Sequence, residues 1–180
     1  MTKPPPPNAP LEILHDGRYI QAVRVDRWEY VRRKNTTGIV VLVAVTPDQE
    51  LILVEQHRVP VGGPVIELPA GLAGDIIGSE AEPLEAAAGR ELEEETGWRA
   101  TRLARLTSGP VSAGLTSEVV TFFGAYDLER VSDGGGDASE DIIVHHVPLA
   151  DVPTWLAAQM ARGAQVDPKV FAGLYFALSM

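Results

Sequence analysis

Apolar and polar positions alternate in the first part of the chain with the period of two that a half-buried strand requires. Residues 11–14 run up to the turn pair Asp16-Gly17. Residues 19–25 alternate, with Tyr19, Gln21, Val23 and Val25 set against Ile20, Ala22 and Arg24, and residues 28–33 alternate again. These stretches predict a three-stranded antiparallel sheet, which is marginal alone and must lie on the main domain or on a partner chain. Residues 38–45 are a nearly unbroken β-branched run, the pattern of a buried central strand. Pro47-Asp48 predicts a turn, 51–54 a returning strand, 65–68 a short apolar strand and 71–81 a Gly-rich loop. Pro83 suits a first helical position, and the helix is expected to run to about Thr96 with Gly97 as its stop. Strands near 100–106, 119–126 and 142–148 follow, with a Gly/Asp-rich loop at 132–139. Residues 151–162 predict a helix, and Asp167-Pro168 opens a last one, with Asp167 as N-cap. No internal repeat is visible. The expected class is α/β, a mixed sheet with helices packed on it.

Composition narrows the function classes. The chain has 180 residues, enough for one domain with a real core and a small appendage. Its formal charge is 15 − 25 = −10, so a general footprint for nucleic acid or an anionic membrane is not expected. An anionic ligand must be met locally, by a few arginines or a metal. There is no cysteine, which excludes disulfides, thiol catalysis and Cys-based zinc sites. Five prolines in residues 1–10 predict a mobile tail rather than a signal core, and a cytoplasmic location is expected. The expected organisation is the tail at 1–10, N-terminal antiparallel strands at 11–36 and a catalytic domain at 37–180.

The helix at 83–97 breaks local rules. Leu84, Ala87, Ala88, Glu91, Leu92 and Glu95 share one face by their spacing, so an apolar stripe turns into carboxylates. Carboxylates on a buried face are costly unless paired or bound to metal. Glu91, Glu93, Glu94 and Glu95 also crowd the helix end where the macrodipole favours cations. A solvated acidic face and a metal site both answer to this pattern. Oxygen donors without Cys or clustered His favour Mg²⁺ or Mn²⁺. Arg90 and Glu94, four apart, are placed to pair, which would leave Glu91 and Glu95 for metal.

The run Arg90-Glu91-Leu92-Glu93-Glu94-Glu95-Thr96-Gly97-Trp98 resembles the core of the Nudix box, R-E-U-x-E-E-x-G-U with U bulky and apolar. Glu82 stands where the box has its earlier Glu. The box also expects a Gly six positions before that Glu, where this chain has Ile76; Gly71 is the candidate, which gives the loop about five extra residues relative to the family. The flanks resemble one branch, the ADP-ribose and nucleoside diphosphate sugar pyrophosphatases. They are Trp28-Glu29-Tyr30-Val31-Arg32-Arg33, Glu55-Gln56-His57-Arg58, Glu67-Leu68-Pro69-Ala70-Gly71-Leu72, Ser112 to Glu118, and Val166-Asp167-Pro168-Lys169-Val170.

The resemblance implies a Nudix-type α/β/α sandwich, with the small N-terminal antiparallel sheet used in dimerisation. It implies metal-dependent hydrolysis of the diphosphate of ADP-ribose or a related nucleoside diphosphate sugar, giving AMP or another nucleoside monophosphate and a sugar phosphate. Mg²⁺ is the expected cofactor, with Mn²⁺ as a substitute, held by Glu91, Glu95 and the carbonyl of Ala70. Glu94 either contributes through water or holds Arg90. Glu140, on a loop after Gly134-Gly135-Gly136, is the expected general base. Trp28 would stack on the base, with Glu29, Arg33, Arg58 and Leu72 as further substrate contacts. His57, His145 and His146 form no ligand pattern and read as structural or surface residues. A domain-swapped homodimer is expected. GDP-mannose or another sugar nucleotide is the alternative substrate, and a non-catalytic nucleotide sensor or a plain acidic domain are the alternatives of other classes.

Overall fold

The computed structural model describes residues 4–136 and 141–180. Strands β1 (Leu11–Asp16), β2 (Ile20–Val25) and β3 (Trp28–Arg33) form the antiparallel N-terminal sheet in that order. It rests on the rest of the chain through β3. The Val31 amide donates to the Leu115 carbonyl at 2.8 Å, and the Ser117 amide donates to Val31 at 3.1 Å. Val23 is its fully buried apolar residue, while Leu11, Ile13, Leu14 and Ile20 are exposed.

Two four-stranded sheets make the body. One has the order β7 (Ala70–Ala73), β4 (Gly38–Ala44), β9 (Val119–Arg130) and β8 (Trp98–Pro110). The other has the order β10 (Ile143–Pro148), β5 (Glu50–Arg58), β6 (Gly63–Glu67) and β11 (Gln165–Val166). Both are mixed: β4 runs parallel to β9 and antiparallel to β7, and β11 is parallel to β6. The helices are α1 (Leu84–Thr96), α2 (Val152–Ala161) and α3 (Pro168–Ala177).

The period of two in β4 and β5 decides the layering. Val41, Val43, Leu51 and Leu53 point to one core, shared with Leu156 of α2 and Val170 of α3. Val40, Leu42 and Ile52 point to the other, shared with Ala87, Ala88 and Leu92 of α1. The strands therefore form a middle layer between α1 on one side and α2 with α3 on the other, the expected α/β/α sandwich. Burial of each Val, Leu or Ile among these is worth about 1.5–3 kcal/mol, and Leu92 is the main such anchor of α1.

Three local expectations need correction. Residues 71–73 are not loop: with Ala70 they pair antiparallel with β4 from Gly38 to Val41, because that edge of β4 offers unpaired backbone groups. Pro83 is the N-cap of α1 rather than its first helical residue; its φ of −64° suits a helix but its ψ of 144° is extended. Strands β5, β8 and β9 run several residues past their predicted ends, since paired strands can extend through polar positions that periodicity alone does not mark. Asp167 is the N-cap of α3 as expected, and its side chain accepts from the Lys169 amide.

Candidate active site

Helix α1 carries the acidic cluster out of the core. Leu84, Ala87, Ala88 and Leu92 hold its inner face, and Glu95 continues that face at 3% exposure. Glu91 is mostly covered, with a side chain 13% exposed, whereas the Glu94 side chain is 49% exposed. Two glutamates one turn apart face inward, and Glu94 lies on the rim.

Arg90 ties this cluster together. Its guanidinium donates to both Glu82 carboxylate oxygens at 3.1 Å, to Glu94 at 3.0 Å and to the Leu72 carbonyl at 3.0 Å. The pairing with Glu94 is the expected one. Arg90 also donates to Glu91 at 2.9 Å, so it does not leave Glu91 free as the spacing suggested. The fork of a guanidinium reaches several carboxylates at once, which an i, i+4 argument does not anticipate. The bond from Arg90 in turn holds the Glu82 carboxyl below its usual range, against a smaller opposing effect of burial. Glu82 further accepts from the Gly74 amide at 3.4 Å, which closes the 75–82 segment back onto the end of β7. Glu82 thus holds Arg90 through both of its carboxylate oxygens.

Glu91 and Glu95 sit under β7. Burial pushes the Glu91 carboxyl up to about 7, and the attraction of Arg90 only partly offsets this. Gly71 makes the approach possible: a Cβ there would lie 1.9 Å from the Glu91 carboxyl carbon. Glu95 accepts from the Ala70 amide at 3.0 Å.

Both glutamates open into a cleft of about 390 Å³ that brings together Ala70, Leu72, Arg33 and Arg58. Arg33 donates to Glu118 at 2.8 Å and Arg58 to Glu67 at 2.6 Å, and these two carboxylates also line the cleft. Neither ion pair is predicted by the sequence pattern, because a pair between segments distant in sequence leaves no spacing signal. Trp28 does not join this cleft. It lines a separate depression with Tyr30, Ala113 and Thr116. Glu29 is exposed and lies 4.0 Å from Arg24. Glu140 falls outside the described residues.

The donor set suits a hard divalent cation, with carboxylate oxygens from Glu91 and Glu95 beside the Ala70 backbone, and Gly71 leaves the room that carboxylates of this kind need. The ligands are not preassembled. Among the described residues, no three acidic or histidine side chains converge at metal-binding spacing. Glu91 accepts from Arg90 and Glu95 from the Ala70 amide.

The C-terminal end of α1 is closed by the chain after β9. The amides of Gly135 and Gly136 donate to the carbonyls of Glu95 and Glu94 at 2.8 and 3.0 Å. His145 and His146 make packing and hydrogen-bond contacts, and His57 is exposed. His146 accepts from the Trp98 indole at 2.9 Å, and His145 contacts Glu55 at 3.0 Å and stacks edge-on against Trp155.

Comparison with known proteins places the chain in a family. The family model of the NUDIX domain matches residues 36–168. An ADP-ribose pyrophosphatase of Bacillus subtilis (strain 168) is 32% identical over 136 residues, covering 74% of this chain and 71% of that protein. A GDP-mannose pyrophosphatase of Yersinia pestis is 28% identical over 170 residues, covering 90% of this chain and 78% of that one. A crystal structure of an ADP compounds hydrolase shares the fold, with a TM-score of 0.62 at 24% identity over 81% of this chain and 80% of that one. The matched segment contains the whole of α1 with its Arg90-centred carboxylates and the β7 edge packed over them, and on that ground the chain belongs to the Nudix family.

Proposed function

We propose that the protein hydrolyses the diphosphate bridge of ADP-ribose, or of a related nucleoside diphosphate sugar, to a nucleoside monophosphate and a sugar phosphate. The observation that carries this reading is a single cleft in which Glu91 and Glu95 of α1 meet Arg33 and Arg58. Such a site offers metal-binding oxygens beside groups whose forks match phosphate oxygens. Similarity to the Bacillus subtilis ADP-ribose pyrophosphatase supports the substrate. Similarity to the Yersinia pestis GDP-mannose pyrophosphatase over 90% of the chain supports GDP-mannose as the second reading.

Glu91, Glu95 and the Ala70 carbonyl would hold Mg²⁺, or Mn²⁺ in its place, which would supply charge neutralisation of the diphosphate and a more acidic attacking water. The chain's own residues do the rest. Arg33 and Arg58 orient the phosphates by exchanging their carboxylate partners for phosphate oxygens. Leu72 forms the apolar wall of the same cleft. Arg90, with Glu82 and Glu94, holds the helix and the loop in register. Glu140 takes the proton of the attacking water as general base. Trp28 stacks on the nucleobase with Glu29 beside it. Its place in a separate depression supports delivery of that strand from a second subunit, and the exposed Leu11, Ile13, Leu14 and Ile20 supply an apolar surface for such a homodimer.

The test is turnover of ADP-ribose, GDP-mannose, UDP-glucose, diadenosine polyphosphates and dNTPs with Mg²⁺, with the products separated. ADP-ribose is expected to lead and to yield AMP and ribose 5-phosphate. A clear preference for dNTPs sinks the reading. Near-normal turnover by Glu140→Gln moves the base to Glu118 or Glu94, and a monomer by light scattering at micromolar concentration rules out the shared site.

A further inference from the structure

Helix α1 ends in a crowded turn. Gly97 has a φ of 75°, its amide donates to the Glu93 carbonyl at 2.9 Å, and its carbonyl accepts from the Val131 and Ser132 amides at 2.8 and 3.2 Å. A Cβ on Gly97 would lie 2.2 Å from the Ser132 carbonyl oxygen, so the 131–136 segment packs on this turn without slack. Thr96 adds a second tie: its hydroxyl donates to the Leu92 carbonyl at 2.5 Å and accepts from the Trp98 amide at 3.2 Å. Trp98 reaches out of the turn, and its indole donates to His146 Nε2 at 2.9 Å. His146 lies on β10 and is paired there with Ile52 of β5. One hydrogen bond thus joins the end of the helix that carries Glu91 and Glu95 to a different sheet. An indole N–H only donates, so His146 Nε2 carries a lone pair and the neutral ring keeps its proton on Nδ1. A protonated ring would set N–H against N–H. Burial holds the ring below its ordinary value of 6.5, Glu50 of β5 opposes this, and Arg130 of β9 and His145 of β10 reinforce it.

We infer that His146 is a positioning residue: its neutral ring, acting through Trp98, holds the C-terminal end of α1 in place, and a proton on Nε2 releases it. The same turn receives the amides of Gly135 and Gly136 on the Glu95 and Glu94 carbonyls, so movement of Trp98 reaches both the glutamates and the glycine segment. The effect on rate rests on the hydrolysis proposed above. The bond itself and its release are tested without substrate.

The experiment follows the indole N–H resonances of ¹⁵N-labelled protein from about pH 8 to about pH 5, the range in which a histidine titrates. Trp98→Phe identifies the Trp98 signal. In wild type that signal should move with a single midpoint below 6.5, the ordinary value of the ring. It should not move in His146→Gln, whose amide oxygen accepts from the indole at every pH in the range. Loss of one neutral hydrogen bond corresponds to roughly a two- to tenfold effect. Amide exchange at Gly135 and Gly136 should speed by that factor in His146→Phe at the alkaline end, and in wild type relative to His146→Gln at the acid end. A Trp98 signal that stays still in wild type overturns the assignment, as does one that moves equally in His146→Gln. Equal exchange in wild type and His146→Gln across the range does the same. These comparisons stand even where His146→Phe fails to fold. With ADP-ribose, the kcat of wild type relative to His146→Gln should fall by the same factor as pH drops below 6.5. KM should change less, because Arg33 and Arg58 stand on β3 and β5 rather than on α1. A ratio that stays flat while the Trp98 signal titrates overturns the positioning role. A wild-type protein whose Trp98 signal and glycine exchange behave as expected but which cleaves no sugar nucleotide defeats the substrate reading alone.

Discussion

Gly71 of β7 lies so close to Glu91 of α1 that a Cβ on the glycine would sit 1.9 Å from the glutamate's carboxyl carbon. The edge strand and the acidic helix are built around this one missing atom. Neither element can shift to admit a methyl group cheaply, because Ala70 pairs with Val41 and Leu92 is fully buried.

Gly71→Ala should therefore displace the Glu91 carboxylate rather than unfold the protein. A displacement of about 1 Å at a reacting centre costs roughly 100-fold in rate. The check is kcat together with Mg²⁺ dependence, read beside a thermal melt. Unchanged activity would mean that Glu91 is not needed where it stands.

The raised Glu91 carboxyl predicts a pH dependence of stability in metal-free protein. The folded-state value of about 7 lies above the ordinary glutamate value of 4.5. Between these, the folded protein holds more protons than the unfolded chain, so stability falls as pH rises. The contribution is fully present below about pH 4.5 and lost as pH passes about 7, and is worth at most about 3 kcal/mol. Urea denaturation with chelator across this window should show the slope in wild type and lose it in Glu91→Gln. Equal slopes would falsify the assignment.

Gly89 interrupts α1 without a spatial reason. A Cβ there would meet Leu103 Cδ1 at 3.7 Å, an ordinary contact. Gly89→Ala should stabilise the protein by about 0.5–1 kcal/mol through helix propensity. The urea midpoint is expected to rise; a fall would show that Leu103 cannot accommodate the methyl group.

Gly134 has the opposite character. Its φ is +70°, and a Cβ would lie 2.4 Å from the Thr96 carbonyl carbon. Gly134→Ala should cost roughly 1–3 kcal/mol in backbone strain and release the amides of Gly135 and Gly136 from the end of α1. Faster amide exchange at Gly135 and Gly136 is the expected signature, and unchanged protection there would contradict it.

Much was legible in the chain before any coordinates. The unbroken run of β4 announced a central strand, since a strand covered on both faces needs apolar residues at every position. Leu84, Ala87, Ala88, Leu92 and Glu95 announced a helix face that leaves the core as carboxylates, because helical periodicity is local and written in consecutive residues. The tertiary structure decided what pairs with what. It gave Arg90 four hydrogen-bond partners among the described residues instead of one, turned residues 71–73 into part of an edge strand, and set Gly71 against Glu91. It also separated Trp28 from the cleft that holds Arg33 and Arg58, and brought Lys169 of the last helix into that cleft. These relations join residues tens of positions apart, and packing of the layers fixes their distances. Sequence periodicity reports which way a side chain faces along its own element; it does not report which element will face it.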